Sequence, residues 1–356
     1  MANDITESVI NVTASSLEPV KEYTAMERFL LSYPHLAAWK IASPFIVFFG
    51  TFGNVMIIVI MRRMRQGQSS NSMSLYFTAL AVSDLLILYT GLPQVWMFRT
   101  FGFQLYRLHV SICKLIPFFT YSCGTGSTWL IVAMTMQRLM SVVWPHHKSF
   151  SCTERKVGLV IAMIATIQIG FNVSKIISYE LINGVCDIVN EELWYYDQVI
   201  YPWIDVVITT LIPFAVLVIG NSVLLWTVIQ SVKVARVMTS GRGDQVNTRR
   251  KKASTLTVTL ITVSMVFLLL TMPMNTYFLI VNDISNEETI IQWASRSFAF
   301  AILDLAWFSH SAINFYIYCL TGSKFRNELK SLFCRRYPAL ERSKATSLTS
   351  GTTSFK

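Results

Sequence analysis

The stretch that decides the fold reads Cys113-Lys-Leu-Ile-Pro-Phe-Phe-Thr-Tyr-Ser-Cys-Gly-Thr-Gly-Ser-Thr-Trp-Leu-Ile-Val-Ala-Met-Thr-Met-Gln-Arg138-Leu-Met-Ser-Val-Val143. Cys113 precedes Arg138 by 138 − 113 = 25 positions. At about 1.5 Å per residue of helix the two lie roughly 37 Å apart, one near each face of a bilayer. An arginine at the end of a membrane-length helix is expensive unless it faces protein or water, so Arg138 reads as a functional residue. Such a helix links two compartments.

Working outward, the chain of 356 residues is 53% hydrophobic and only 14% charged, with a mean hydropathy of +0.47. No single soluble domain of this size usually carries that composition. About seven blocks are long enough to cross about 30 Å of hydrocarbon. They fall near Trp39–Met61, Met73–Met97, Cys113–Val143, Lys156–Ile177, Val199–Val232, Ala253–Val281 and Ala294–Leu320. Only helices and closed barrels satisfy the backbone in lipid, and these runs lack the period of two that a barrel needs. The expected fold is all-α, a seven-transmembrane helix bundle. It divides into an N-terminal tail at 1–36, the bundle at 37–320, an amphipathic membrane-surface helix at 321–336 and a disordered tail at 337–356.

Orientation follows from basic residues. Arg62, Arg63 and Arg65 follow the first block, Lys148, Arg155 and Lys156 lie between the third and fourth, and Arg249 to Lys252 precede the sixth. By the positive-inside rule these loops are cytoplasmic, which leaves the N-terminus outside and the C-terminus inside. The polar start from Met1 to Leu36 has no basic–apolar leader pattern, so the first span is expected to act as the anchor. The formal net charge of +10 then reflects topology and cytoplasmic partner surface, not nucleic acid. The opposite loops are acidic, with Glu180, Asp187, Glu191, Glu192, Asp197, Asp283, Glu287 and Glu288. Two readings remain: steering of a basic ligand, or simple solvation.

Of six cysteines, Cys113 and Cys186 are the two expected on the oxidising side and are expected to pair. Cys123 and Cys319 read as packing residues, and Cys152 as a reduced thiol. Cys334, just past the last span, is a palmitoylation candidate or an unmodified thiol. Asn11-Val-Thr13 is a glycosylation sequon in the tail, while Asn172-Val-Ser174 falls inside the fourth span.

Several polar residues sit inside apolar helices. Asn54 follows Gly53 in the first, and Asp84 lies in Leu80-Ala-Val-Ser-Asp84 of the second. Asp84 has two readings: a structural acid hydrogen-bonded to its neighbours, or a sodium or water site with Asn54, Ser127, Ser311 and Asn314. The second is preferred because intramembrane acids are costly unless used.

Gly53-Asn54, Leu80 to Asp84, the Cys113 to Arg138 spacing, Cys186, Pro213, Phe267 with Pro273, and Asn314-Phe-Tyr-Ile-Tyr318 followed by Phe325-Arg326 resemble the landmarks of rhodopsin-like G-protein-coupled receptors. They span nearly the whole membrane region. The resemblance implies that Gln137 and Arg138 form the coupling site for a heterotrimeric G protein, with Phe267, Pro273, Asn314 and Tyr318 as the switch. It implies that Asp84 and Asn314 belong to a polar relay, and that Tyr318 swings inward on activation. Phe325, Leu329, Leu332 and Phe333 supply an apolar face at helical spacing for the surface helix. The Ser/Thr-rich end from Ser343 to Ser354 is expected to serve a receptor kinase and arrestin.

The chain also departs from that pattern. Gln137 replaces an acid, Thr271 an aromatic, Asn221 a tyrosine and Phe315 a proline, and the fourth span has no tryptophan. Phe315 keeps its backbone N–H, so the seventh helix is expected to run straighter. Together with Gln137, the string Ile313 to Cys319 resembles invertebrate neuropeptide receptors of the myosuppressin, FMRFamide and sex-peptide groups.

The leading reading is a receptor for a short extracellular peptide, basic or amidated. Its pocket is expected among Gln94, Trp96, Thr120, Tyr121, Trp203, Asp205, Asn275, Phe278, Phe300 and Asp304. Asp205 and Asp304 are acids in apolar helices, open either to a cationic ligand group or to pairing with Arg296 or a tyrosine. An amine receptor is disfavoured, since Ile116, Pro117, Thr120 and Tyr121 occupy the level where that group carries an acid. An opsin is disfavoured because the seventh span has no lysine. A non-peptide receptor and a membrane transporter remain as alternatives, although no internal repeat marks a transporter. His310 and Asp304 are six positions apart and on different faces, so an enzyme is not expected. No cofactor is implied.

Overall fold

The computed structural model describes residues 25–66, 72–144, 153–237, 244–281 and 289–333, with side chains described for all of these except 25–32, 231–254 and 278–281. The first long helix is Ala25–Gln66, the third Val110–Val143, the fourth Glu154–Ser178, the sixth Asp244–Val281 and the seventh Ile290–Thr321. The second is split into Met73–Thr90 and Leu92–Phe101, and the fifth runs in pieces from Glu191 to Val237 with two wide turns at Tyr196–Ile200 and Val206–Leu211. A last helix covers Ser323–Phe333. Among the described residues six helices are long and apolar enough to cross a membrane. The third is the exception. It packs against the second, fourth, fifth and sixth helices, so it faces protein instead of lipid and tolerates Thr120, Ser122, Thr125, Ser127 and Thr128 on its surface.

Large apolar side chains cover the outside: Phe45, Phe48, Leu159, Ile167, Ile219, Trp226 and Leu269 are all exposed. No soluble monomer presents such a belt, and a bundle in lipid requires one. Inside, one cluster centred on Tyr76, Leu80, Met134, Leu217, Leu260 and Tyr318 fills the half nearer Arg138. A smaller cluster of Trp39, Ile87, Leu88, Leu92, Leu305 and Phe308 fills the half nearer the disulfide.

Three boundaries differ from expectation. The first helix starts at Ala25, inside the segment assigned to a tail, because Pro34 is outweighed by packing: His35 and Trp39 are buried, and the His35 ring meets Trp293 edge-on at 5.8 Å. The second helix breaks at Gly91, since Pro93 lacks an amide donor and crowds the preceding turn. The segment between the fourth and fifth helices holds a hairpin, β1 (Tyr179–Ile182) paired antiparallel with β2 (Val185–Ile188), with Leu181 opposite Cys186. Its turn places Asn183 at φ 50° and Gly184 at φ 78°, the left-handed pair a two-residue hairpin needs. The bundle itself is helical as expected.

The first and seventh helices approach closely at a glycine seam. A Cβ on Gly53 would stand 2.9 Å from the Phe315 Cβ, and one on Gly50 3.0 Å from the Ala312 Cβ. The seventh helix is continuous through Phe315. After it, the Arg326 guanidinium donates to the Cys319 and Leu320 carbonyls at 3.2 and 2.8 Å, closing the helix end, while Phe325 is buried against Phe315 and Tyr318.

Candidate functional site

Polar groups thread the bundle from the disulfide end to Arg138. In the middle, Asp84 is fully buried and accepts from Ser127 Oγ at 3.2 Å and from Asn314 Nδ2 at 2.8 Å, which joins the second, third and seventh helices. Asn54 Nδ2 donates to the Ser311 carbonyl at 2.7 Å and to the Gly50 carbonyl at 3.0 Å. The structure therefore brings Asn54, Asp84, Ser127, Ser311 and Asn314 together. Gly53 is what lets the seventh helix come near enough for the Asn54 bond.

Next to this relay, His310 is buried, with Nδ1 against the Trp307 carbonyl and Nε2 at 3.2 Å from Ser311 Oγ. Its ring meets Trp307 and Phe267 edge-on, each at 5.3 Å. Trp307 in turn lies against the third helix, where a Cβ on Gly124 would be 3.3 Å from the indole. Thr271 cannot supply an aromatic at this level; its hydroxyl bonds back to the Phe267 carbonyl at 2.8 Å. The large ring beside the third helix comes from the seventh helix instead.

Toward the disulfide end the helices open into a mouth. Cys113 and Cys186 are bonded, with Cα atoms 5.6 Å apart, so the β1–β2 hairpin is tied to the top of the third helix. Thr120 Oγ1 donates to Thr90 Oγ1 at 2.9 Å, and Asn275 Nδ2 donates to Thr210 Oγ1 at 2.7 Å. Among the described residues Gln94 is buried with Oε1 unpartnered, and Trp96 Nε1 is unpartnered too. Phe300 packs on Tyr277 at 6.1 Å. Tyr121 stands within electrostatic reach of Asp197, Asp205 and Asp304. Asp205 keeps a buried Oδ1 with no partner among the described residues, and no ion pair there joins Asp304 to Arg296. Trp203 is the exception: it is 58% exposed on the outer face and is not gathered with the others. The Phe278 side chain lies outside the described residues, as do Asn11 and Cys334.

Sequence reasoning missed the strongest polar contact of this end. Lys175 of the fourth helix and Asp197 are each 2% exposed in their side chains and lie 2.7 Å apart. Tyr179 Oη donates to the other Asp197 oxygen at 3.0 Å, and Gln198 Nε2 does so at 3.1 Å. Burial, then the Asp197 charge, pushes the Tyr179 phenol well above its ordinary value, so it stays a donor. The Lys175 ammonium also lies over the Tyr201 ring at 3.7 Å and the Tyr121 ring at 4.5 Å. Tyr201 Oη donates to Asn172 Oδ1 at 2.7 Å, which explains why that sequon asparagine is wholly buried. Lys175 was detectable: the rule that singles out Arg138 applies to any cation inside an apolar helix. Asp197 was not, because it belongs to an acidic loop that reads as solvated.

At the other end Gln137 and Arg138 are partly buried at the close of the third helix. Tyr318 is buried between Phe77 at 4.9 Å and Phe325 at 5.7 Å, its hydroxyl has no partner among the described residues, and a cavity of about 30 Å³ adjoins it. Pro273 interrupts the donor ladder of the sixth helix.

This architecture is that of a helical membrane receptor. The profile of the family described as 7 transmembrane receptor (rhodopsin family) matches residues 53–318, and the chain belongs to that family. It is similar to a putative G-protein coupled receptor of Caenorhabditis elegans, 24% identical over an alignment 322 residues long that covers 80% of this chain and 71% of the relative. It is similar to the sex peptide receptor of Drosophila melanogaster, 23% identical over an alignment 320 residues long that covers 83% of this chain and 72% of that receptor. A shorter match, 29% identical over 115 residues, is to growth hormone secretagogue receptor type 1 of Sus scrofa and covers 32% of this chain and 30% of that one. The protein is thus a multi-pass membrane signalling receptor and not an enzyme; its family takes up a ligand and works through a heterotrimeric G protein.

Proposed function

We propose that this receptor resides in the plasma membrane with its disulfide end outside, and that it is switched by a short extracellular peptide carrying a cationic group. The observation that carries the reading is Asp205: a carboxylate in an apolar helix, with Oδ1 buried and without a hydrogen-bond partner among the described residues, within electrostatic reach of Tyr121 and Lys175. A buried acceptor of this kind is costly until a donor fills it, and a peptide amine or guanidinium does so. The acidic loops support steering of such a ligand, and likeness to the sex peptide receptor supports a peptide. Inside the cell, Arg138 engages the G protein, the Ser/Thr-rich tail is a substrate for a receptor kinase and arrestin, and Cys334 carries a palmitoyl group beside membrane lipids. Asn11 is the glycosylated residue. Asp84, Ser127, Ser311 and Asn314 offer the hard oxygen donors that would hold sodium.

The test is nucleotide exchange on added heterotrimeric G protein, with the receptor reconstituted in nanodiscs and challenged by a library of amidated neuropeptides. At least one peptide is expected to stimulate exchange, and Asp205→Asn to lower its potency tenfold or more. Arg138→Ala is expected to abolish exchange while leaving affinity within about tenfold, or about 1.4 kcal/mol. Exchange retained by Arg138→Ala at equal receptor amounts, or no response to any peptide, would overturn this reading.

A further inference from the structure

The acids do not account for the whole mouth. Between the first, second, sixth and seventh helices lies a cavity of about 190 Å³ lined by His35, Trp39, Arg99, Tyr277, Arg296 and Phe300. Its charged lining is basic: two guanidinium groups face it and, among the described residues, no carboxylate does. Asp304 is the acid that feels Arg99, but it is not part of the lining, and among the described residues no ion pair joins the two.

Two of the polar groups here, on Arg99 and His35, keep a buried atom open among the described residues. Arg99 Nε is buried and has no hydrogen-bond partner among the described residues. His35 is 4% exposed, and its Nδ1 has no partner either. Trp39 closes the floor with no exposed surface, and Tyr277 Oη donates to the Arg296 carbonyl at 3.1 Å, tying the sixth helix to the seventh at the cavity wall. A guanidinium presents a planar fork that matches a carboxylate with two parallel bonds. The aromatic walls suit an apolar residue next to that carboxylate.

We propose that this cavity binds a carboxylate of the peptide ligand, with Arg99 as its main partner and His35 and Arg296 flanking it. The proposal rests on the reading of this end as the ligand-binding end and adds to it a second anchor of opposite sign. A ligand with a cation at Asp205 and a carboxylate at Arg99 enters the mouth in one orientation only. The carboxylate is either the peptide's free C-terminus or an acidic side chain in an amidated peptide.

Three small probes separate these sources: N-acetyl-phenylalanine, with a terminal carboxylate; N-acetyl-aspartyl-phenylalaninamide, with a side-chain carboxylate; and neutral N-acetyl-phenylalaninamide. Each is titrated into the full receptor in nanodiscs, followed by tryptophan fluorescence and thermal shift. At least one acid is expected to bind saturably in about the millimolar range, the affinity of a ligand with a single anchor. It should bind at least tenfold more tightly than the neutral probe, and the tighter acid names the source. Arg99→Gln should weaken it tenfold or more, with Arg99→Lys recovering only part, since an ammonium lacks the fork. If Arg99→Gln does not fold, the wild type still decides: binding of the acid must weaken as salt rises. Equal binding of acid and amide, no saturable binding by either acid, or salt-independent binding would each overturn the proposal. If library peptides still stimulate nucleotide exchange in that event, the receptor reading stands and only the carboxylate site falls.

Discussion

Asn221 of the fifth helix is 1% exposed, and neither atom of its side-chain amide has a partner among the described residues. Each such buried orphan costs about 1–3 kcal/mol, and it persists in a folded protein when another state supplies the missing bond. Tyr318 is a second orphan at the same end of the bundle, with free volume beside it. Asn221→Leu, which keeps the shape and removes the amide, is therefore expected to stabilise the resting receptor by about 1–3 kcal/mol. The check is the thermal unfolding midpoint in detergent, where a fall would show that Asn221 is bonded in the folded protein. The departure from the family's tyrosine was visible from the landmarks around Pro213. That the amide would be buried without a partner was not, because its surroundings come from distant parts of the chain.

At the level of elements, the seam of Gly50 and Gly53 against Ala312 and Phe315 sets how near the first and seventh helices lie. Gly53→Ala must push Phe315 away or strain it, and overpacking of this kind costs about 1–3 kcal/mol. Gly170→Ala, in the fourth helix with nothing within 4 Å of the added methyl, is expected to be neutral or to stabilise by up to about 1 kcal/mol through helix propensity. Measured side by side, the Gly53→Ala midpoint should fall while the Gly170→Ala midpoint holds or rises; if both rise, the seam is loose. The long helices were legible because crossing a membrane demands a run of apolar residues that any reading detects. The hairpin was not read, although Asn183-Gly184 between Ile182 and Val185 is a strong local turn pattern; two four-residue strands are too short to show periodicity. The early start of the first helix escaped because its stability comes from contacts with Trp293, far along the chain.

Across the whole molecule, the Lys175–Asp197 pair holds the entrance of the fifth helix to the fourth. Removing one partner leaves a buried charge uncompensated, at a cost of about 3–5 kcal/mol, whereas replacing both by apolar groups is far milder. Lys175→Met alone is expected to abolish folded receptor at the surface, and Lys175→Met with Asp197→Leu to recover much of it. A double variant as poor as the single would assign Lys175 a role other than pairing.

The segment between the fourth and fifth helices is thus anchored twice, by a covalent bond at Cys186 and by an ion pair at Asp197, eleven positions apart (197 − 186). This is redundancy in the engineering sense: the two fastenings fail under different insults, one to a reductant and the other to a change of charge. Mild reduction of the wild type is expected to lower ligand affinity only partly, while the same treatment of the Lys175→Met, Asp197→Leu variant, its second fastening gone, should release the segment and abolish binding. Equal losses in the two proteins would mean that the bridge bears the load alone. The mouth of this receptor is, on this account, built to degrade gradually.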